Sequence, residues 1–255
     1  MTAVAVRSTH ERLRPLVQAE RLAVWSTPTA RVLLLGSAVM AVVTGSANLA
    51  TASDAGSVET LQLTMHAATV PALLFAAVAG AYASSSDHRY GTIDQQLLTD
   101  PSRRRWFLAK AQVMLLVGLS YGVVGMVAAV ADLVGYGAVT GNEMDLVSPT
   151  VARALVGVGI ATPLNALLGV CVGSLMRNQP VAIGTVLVWL LVIEPPLILG
   201  MPDVGRWLPG PAGLAATSSP DPSLLSPVVG ALVLLIETAV ALVVTSRVIA
   251  RMDAR

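Results

Sequence analysis

The chain has 255 residues, of which 55% are hydrophobic and only 12% are charged, with a formal net charge of +1. Soluble domains carry about 25% charged residues, so this composition excludes an ordinary soluble enzyme and a disordered chain. A single cysteine, Cys171, excludes a disulfide-stabilised secreted domain. The net charge by itself says nothing about nucleic acid, which would need a clustered basic face, and we expect no nucleic-acid partner. A polytopic membrane protein remains.

The first predicted element is a short helix over residues 11–25 that lies along the membrane surface. Leu16, Val17 and Val24 share one face of this helix, and Trp25 is suited to the lipid headgroup region. Glu20 interrupts the apolar face, so the helix is only moderately amphipathic. The alternative is a basic tail that does no more than set the orientation of the chain.

Six segments are apolar enough and long enough to cross a bilayer, which takes roughly 20 residues. They are residues 32–50, 61–83, 107–134, 151–176, 181–200 and 228–249. Of the 16 Lys and Arg residues, only Arg153 and Arg206 fall on the second side of the membrane in this arrangement. The positive-inside rule then places both termini in the cytoplasm. The predicted fold is an all-α membrane protein with six transmembrane helices.

The cytoplasmic segment between the second and third spans predicts a short helix over residues 92–99. Gly91 permits a sharp turn into this helix, and Thr92 and Gln95 have the spacing of a capping box. Pro101, which follows Asp100, ends it and begins the next helix.

This short helix carries an apolar edge that consists of Ile93, Leu97 and Leu98. A helix of two turns is too small to bury that edge against its own chain. Asp94 and Asp100 argue against an anionic lipid surface. The pattern therefore favours docking into a groove on a partner protein.

The segment after the fifth span, residues 195–225, is rich in Gly and Pro. We expect the run Glu194-Pro195-Pro196 to break the fifth helix before it leaves the bilayer. Apolar residues between the later Gly and Pro residues suggest short re-entrant helices in the outer leaflet, which must be covered by protein or line a wet cavity. A plain exposed loop is the alternative.

Polar residues within the predicted spans are the candidate transport residues. Glu237 lies at the centre of the sixth span, Glu194 near the outer end of the fifth, and Asn165 near the middle of the fourth. Charged groups at such depths are functional by default, but a protonated Glu237 that serves packing is an equal alternative. Asp132, near the outer end of the third span, is expected to be solvated.

Motifs for chemistry are missing from the sequence. The only lysine is Lys110, between Ala109 and Ala111, so no Walker A loop exists. The three histidines are dispersed, and no metal site is predicted. We therefore expect no catalytic residues, no metal and no cofactor bound by this chain.

Four segments together resemble the permease subunits of type-2 ABC exporters over nearly the whole chain. They are the basic segment 11–25, residues 87–93 followed by Leu97-Leu98 and Arg103-Arg104-Arg105, residues 173–179, and residues 189–195 with 207–210. In that family an acid, usually Glu, stands four residues before the Gly of a Gly-Thr pair, and this chain has Asp87 there.

The resemblance implies an architecture and partners. Segment 11–25 would be an elbow helix, 92–99 a coupling helix seated in an ATPase subunit, and 195–225 the re-entrant outer helices. Two permease chains, most simply a homodimer, would receive two ATPase subunits that carry ATP and Mg. The implied coupling residues are Asp87, Gly91, Thr92, Ile93, Asp94, Gln95, Leu97 and Leu98.

The implied function is export of an amphiphilic or hydrophobic cargo (a drug, an antibiotic or a lipid). The excess of Arg over Lys and the abundance of Ala, Val and Gly suggest a bacterial source, so the expected location is a bacterial inner membrane. An ion-driven secondary transporter that uses Glu237 as its proton carrier is the alternative. A membrane enzyme acting on lipid ranks last, since the sequence lacks the Asp-rich or His-rich sites that such enzymes use.

Overall fold

The computed structural model describes residues 9–52, 57–99, 102–141, 148–219 and 221–252, and within these ranges all regular secondary structure is helical. The helices are α1 (Thr9–Ser26), α2 (Pro28–Thr51), α3 (Val58–Arg89), α4 (Thr92–Thr99), α5 (Arg103–Thr140), α6 (Pro149–Met176), α7 (Gln179–Val188), α8 (Glu194–Gly200), α9 (Pro202–Gly205), α10 (Pro209–Ala216) and α11 (Pro227–Met252). A π-helical turn, Trp189–Ile193, joins α7 to α8.

Six helical segments of the described chain are long and apolar enough to cross a membrane, as predicted. They are α2, α3, α5, α6, the continuous stretch Gln179–Gly200, and α11. Each contains one of the predicted spans and extends beyond most of them by several residues. The helix α1 covers the predicted segment 11–25, and α4 coincides with the predicted helix 92–99.

The predicted break at Glu194-Pro195-Pro196 is wrong, because the chain stays helical as far as Gly200. Pro195 and Pro196 occupy the first turn of α8, where a missing amide hydrogen costs little. The π turn before them widens the helix and separates the prolines from the regular hydrogen bonds of α7. The helix ends instead at Met201, which has a non-helical backbone.

Helices α3 and α6 form the centre of the molecule. In each of them 67% of the most apolar stretch is buried, against 22% in α2 and in α11. Glycine makes their contact close: a Cβ atom on Gly169 would lie 1.9 Å from the carbonyl oxygen of Ala77, and one on Gly80 would lie 2.0 Å from that of Ala166. Small residues allow such approaches between helices in lipid.

The close α3–α6 contact predicts a large effect of one methyl group. Gly169→Ala should lower the free energy of unfolding in mixed micelles by about 3 kcal/mol, because backbone atoms of α3 cannot move aside as a flexible side chain would. Gly184→Ala is the matched control, since its Cβ would meet nothing within 4 Å. Equal stability of the two variants would show that α3 and α6 separate without penalty.

The segment before α11 contains a buried helix, α10, so it is not a plain exposed loop throughout. In α10, Ala212, Ala215 and Ala216 are at most 3% exposed. The helix packs against α6 and α11, with Gly213 beside the amide of Asn165. The polar middle of α6 is therefore covered by α10.

Candidate functional site

A buried lysine joins two carboxylates at the end of the molecule where α1, α3, α4 and α5 meet. Lys110 of α5 is 3% exposed, and its ammonium lies 3.0 Å from Oε2 of Glu20 in α1. The same ammonium contacts Oδ2 of Asp87 near the end of α3 and donates to the carbonyl of Ala83 at 3.0 Å. Buried charges are tolerated when they are paired and hydrogen-bonded in this way. We call Glu20, Asp87 and Lys110 the charge cluster.

Asp87 connects the charge cluster to α4 and to the start of α5. Its Oδ1 accepts a hydrogen bond from the hydroxyl of Thr92 at 3.1 Å, and its Oδ2 accepts one from the indole nitrogen of Trp106 at 3.2 Å. The Trp106 ring also lies 5.6 Å from the ammonium of Lys110, which suits a cation–π contact. One carboxylate thus holds three helices together.

Glu20 supplies the second link to α4. Its Oε1 accepts a hydrogen bond from the side-chain amide of Gln96 at 3.1 Å. Both α1 and α3 are therefore hydrogen-bonded to the same short helix, through Gln96 and Thr92 respectively. Breaking either link would leave a buried carboxylate oxygen with fewer donors, which is unfavourable.

The apolar edge of α4 is partly buried in the protein and partly exposed. Ile93 is 6% exposed and packs with Trp106, Phe107 and Ile249, so the expectation that this helix cannot bury its edge against its own chain is wrong for Ile93. Leu98 is 87% exposed, as an unpaired edge would be. The side chains of Asp94, Gln95 and Leu97, and with them the predicted capping box, lie outside the described part of the chain.

The turn that positions α4 depends on Gly91. Its φ is +66°, in the left-handed region where residues with a side chain are strained. This agrees with the sharp entry that the sequence predicted. The backbone reverses there, so Thr92 returns to hydrogen-bond Asp87 five residues earlier in the chain.

Glu20 and Lys110 were not predicted as site residues, although each gave a signal. Glu20 was interpreted as a flaw in an apolar face, but it is 3% exposed and points into the protein. In the sequence, Lys110 excludes a nucleotide site and counts among the basic residues of the cytoplasmic side. A single lysine among apolar residues at the start of a span needs a partner, and an acid on an otherwise apolar face is a suitable one.

The predicted polar residues of the spans occupy a second region, around α6, α8, α10 and α11. Glu194 is 2% exposed, and its Oε1 accepts hydrogen bonds from the indole of Trp189 at 2.6 Å and the amide of Gly210 at 3.2 Å. Asn165 donates to the carbonyl of Ala161 at 3.0 Å. Oε2 of Glu237 is buried and has no hydrogen-bond partner among the described residues.

An apolar cavity of about 320 Å³ lies near these polar residues. Its lining is mostly aliphatic, and it also includes Asn165, Cys171, Thr185, Trp189, Pro209 and Thr245. Such a cavity can hold an apolar molecule or part of one.

Asp132 is not solvated as expected. It is 8% exposed, and its Oδ1 accepts a hydrogen bond from Ser46 of α2 at 2.8 Å. Gly45 makes room for the carboxyl group, since a Cβ there would lie 2.1 Å from Oδ2. Asp132 therefore holds α2 against α5.

Comparison with family models and with curated proteins finds no match to this chain.

Proposed function

We propose that this chain is the membrane-spanning permease subunit of an ATP-driven exporter of the type-2 ABC class. The observation that carries the proposal is the way α4 is attached. Thr92 and Gln96 bind α4 to the buried charge cluster, while Leu98 of the same helix is 87% exposed. A helix held from one side and open on the other is suited to receive a partner protein.

The charge cluster would transmit a displacement of α4 to the helices α1, α3 and α5. An ATPase subunit that displaces α4 would pull on Asp87 through Thr92 and on Glu20 through Gln96. Because Lys110 binds both carboxylates, α1, α3 and α5 would have to move with α4 or break a buried ion pair. The close glycine contacts of α3 would carry the movement to α6.

The proposal also assigns the partners of the chain and its arrangement in the membrane. Two ATPase subunits would bind ATP and Mg, so this chain would not be an enzyme by itself, and a second copy would complete the cargo path. The apolar faces of α2, Gln179–Gly200 and α11, each no more than 22% buried, would face lipid or that copy. Here α1 acts as the elbow helix and α10 as a re-entrant helix, with both termini in the cytoplasm of a bacterium.

Leu98→Asp tests the attachment of a partner. The chain should insert normally, because this side chain contacts solvent, but ATPase activity stimulated by cargo in the reconstituted complex should fall at least about tenfold. Val139→Asp is the matched control, since Val139 is 88% exposed near the far end of α5. Unchanged stimulated activity in the Leu98 variant would contradict the proposal.

An ion-coupled secondary transporter is the second candidate, and the unpartnered oxygen of Glu237 favours it. Vesicles that contain only this chain separate the two functions. Transport that follows a proton gradient there, and is lost in Glu237→Gln, would establish the secondary transporter. Transport that requires the ATPase subunit and survives Glu237→Gln would establish the exporter.

A further inference from the structure

A cavity of about 230 Å³ lies beside the charge cluster, with walls from α1, α2, α3, α4 and α5. Its polar end is formed by Glu20, Asp87 and Lys110. This cavity is separate from the apolar one near Asn165, with which it shares no lining residue.

The cavity is elongated along one face of α5. Lys110, Met114, Val117 and Tyr121 all line it, and their spacing of four, three and four residues places them on the same side of the helix. At ~1.5 Å per residue, Lys110 and Tyr121 are about 16 Å apart along the axis. On α5 the two lining residues between these polar groups, Met114 and Val117, are apolar.

The charged lining residues in the described chain leave an excess of negative charge. Two carboxylates and one ammonium sum to −1, and the other described lining residues are uncharged. Each carboxylate can accept about four hydrogen bonds, so Glu20 and Asp87 retain room for a further donor. A cation is therefore favoured at this end.

The far end presents a polar group that lacks a partner. The side chain of Tyr121 is 2% exposed, and its hydroxyl has no hydrogen-bond partner among the described residues. Buried hydroxyl groups in proteins are normally hydrogen-bonded. Tyr121 is also one of the residues that line the cavity.

We propose that this cavity binds a linear organic cation. Its ammonium group pairs with Glu20 and Asp87, its apolar stem lies along Met114 and Val117, and an oxygen at its far end hydrogen-bonds Tyr121. A free long-chain amino alcohol has all three features, whereas the headgroup amine of a lipid shares only the ammonium group. The inference is independent of the proposed function, because binding is measured on the isolated chain without an ATPase subunit.

Titration calorimetry tests whether the ligand must carry a positive charge. The purified full chain in dodecyl maltoside micelles is titrated with aminodecanol, decylammonium and decanol. The two amines should bind and decanol should bind at least about tenfold more weakly, as expected for loss of one charge-assisted contact. Glu20→Gln should weaken both amines about tenfold, whereas Glu59→Gln, at an exposed position, should change neither. Equal binding of decanol and decylammonium would overturn the proposal.

Tyr121→Phe tests the far end without altering the shape of the cavity. The wild-type chain should prefer aminodecanol to decylammonium, and this variant should lose the preference while it still binds decylammonium. Tyr136→Phe, outside the cavity, should keep the preference. A preference that survives in Tyr121→Phe, or one that is absent from the wild-type chain, would overturn the assignment of Tyr121.

The source of the cation is resolved by adding phosphatidylethanolamine to the micelles. Competition with aminodecanol supports a lipid headgroup as the occupant. Unchanged aminodecanol binding supports a free amine.

Discussion

Lys110→Met should lower the free energy of unfolding in mixed micelles by about 3–5 kcal/mol, because it leaves the buried carboxylate of Glu20 and the partly buried carboxylate of Asp87 without their cation. The side chain of Met is similar in length and fills the same space, so the loss reports charge rather than volume. The measurement is reversible unfolding of the purified chain, followed by circular dichroism.

Two further variants separate a charge effect from a packing effect. Arg247→Met removes a cation from an exposed position of α11 and should change the stability by less than about 0.5 kcal/mol. A triple variant removes all three charges together: it combines Lys110→Met with Glu20→Gln and Asp87→Asn. It should recover about half or more of the free energy of unfolding that Lys110→Met loses. No recovery in this combination would contradict the prediction that the loss comes from the unpaired charges of Glu20 and Asp87.

Asp87→Asn should uncouple the proposed transport complex while leaving the chain inserted in the membrane. Asn keeps an oxygen for the hydroxyl of Thr92 but no longer attracts Lys110, so the link from α4 to α5 weakens. In proteoliposomes with the ATPase subunit, stimulated ATP hydrolysis should fall about tenfold.

Asp87→Glu is the conservative variant with which Asp87→Asn is compared. It restores the negative charge with one additional methylene, and it introduces the acid that type-2 ABC permeases usually carry at this place. We expect more than about half of the stimulated activity to remain. Asp203→Asn, at a side chain that is 90% exposed, controls for a general loss of charge. Equal activity of Asp87→Asn and Asp87→Glu would contradict a role for the charge.

Part of the candidate site could be predicted from local sequence. Gly91 and the helix 92–99 follow from local turn and helix preferences, which act over a few residues, while the capping role of Thr92 stays a prediction. Asp87 was found through the resemblance. Leu98 is exposed, as predicted for an apolar residue that the short helix does not bury against its own chain.

The burial of Ile93 could not be predicted in this way. It depends on Trp106 and Ile249, the second of which lies more than 150 residues further along the chain. The position of Asp132 depends in the same way on Ser46 of another helix. A helical pattern identifies which residues share a face, but it does not identify the neighbour of that face.

The sequence alone determined the number and type of the helices that are long and apolar enough to span a membrane. Each membrane segment must satisfy its own backbone hydrogen bonds and supply its own apolar length, so every span is visible in its own residues. Only the tertiary structure decided that Glu20 and Lys110 belong together, and that Gln96 meets Glu20 across 76 residues of chain. Pairing of buried charges is a property of how helices pack against each other, and no single segment contains that information.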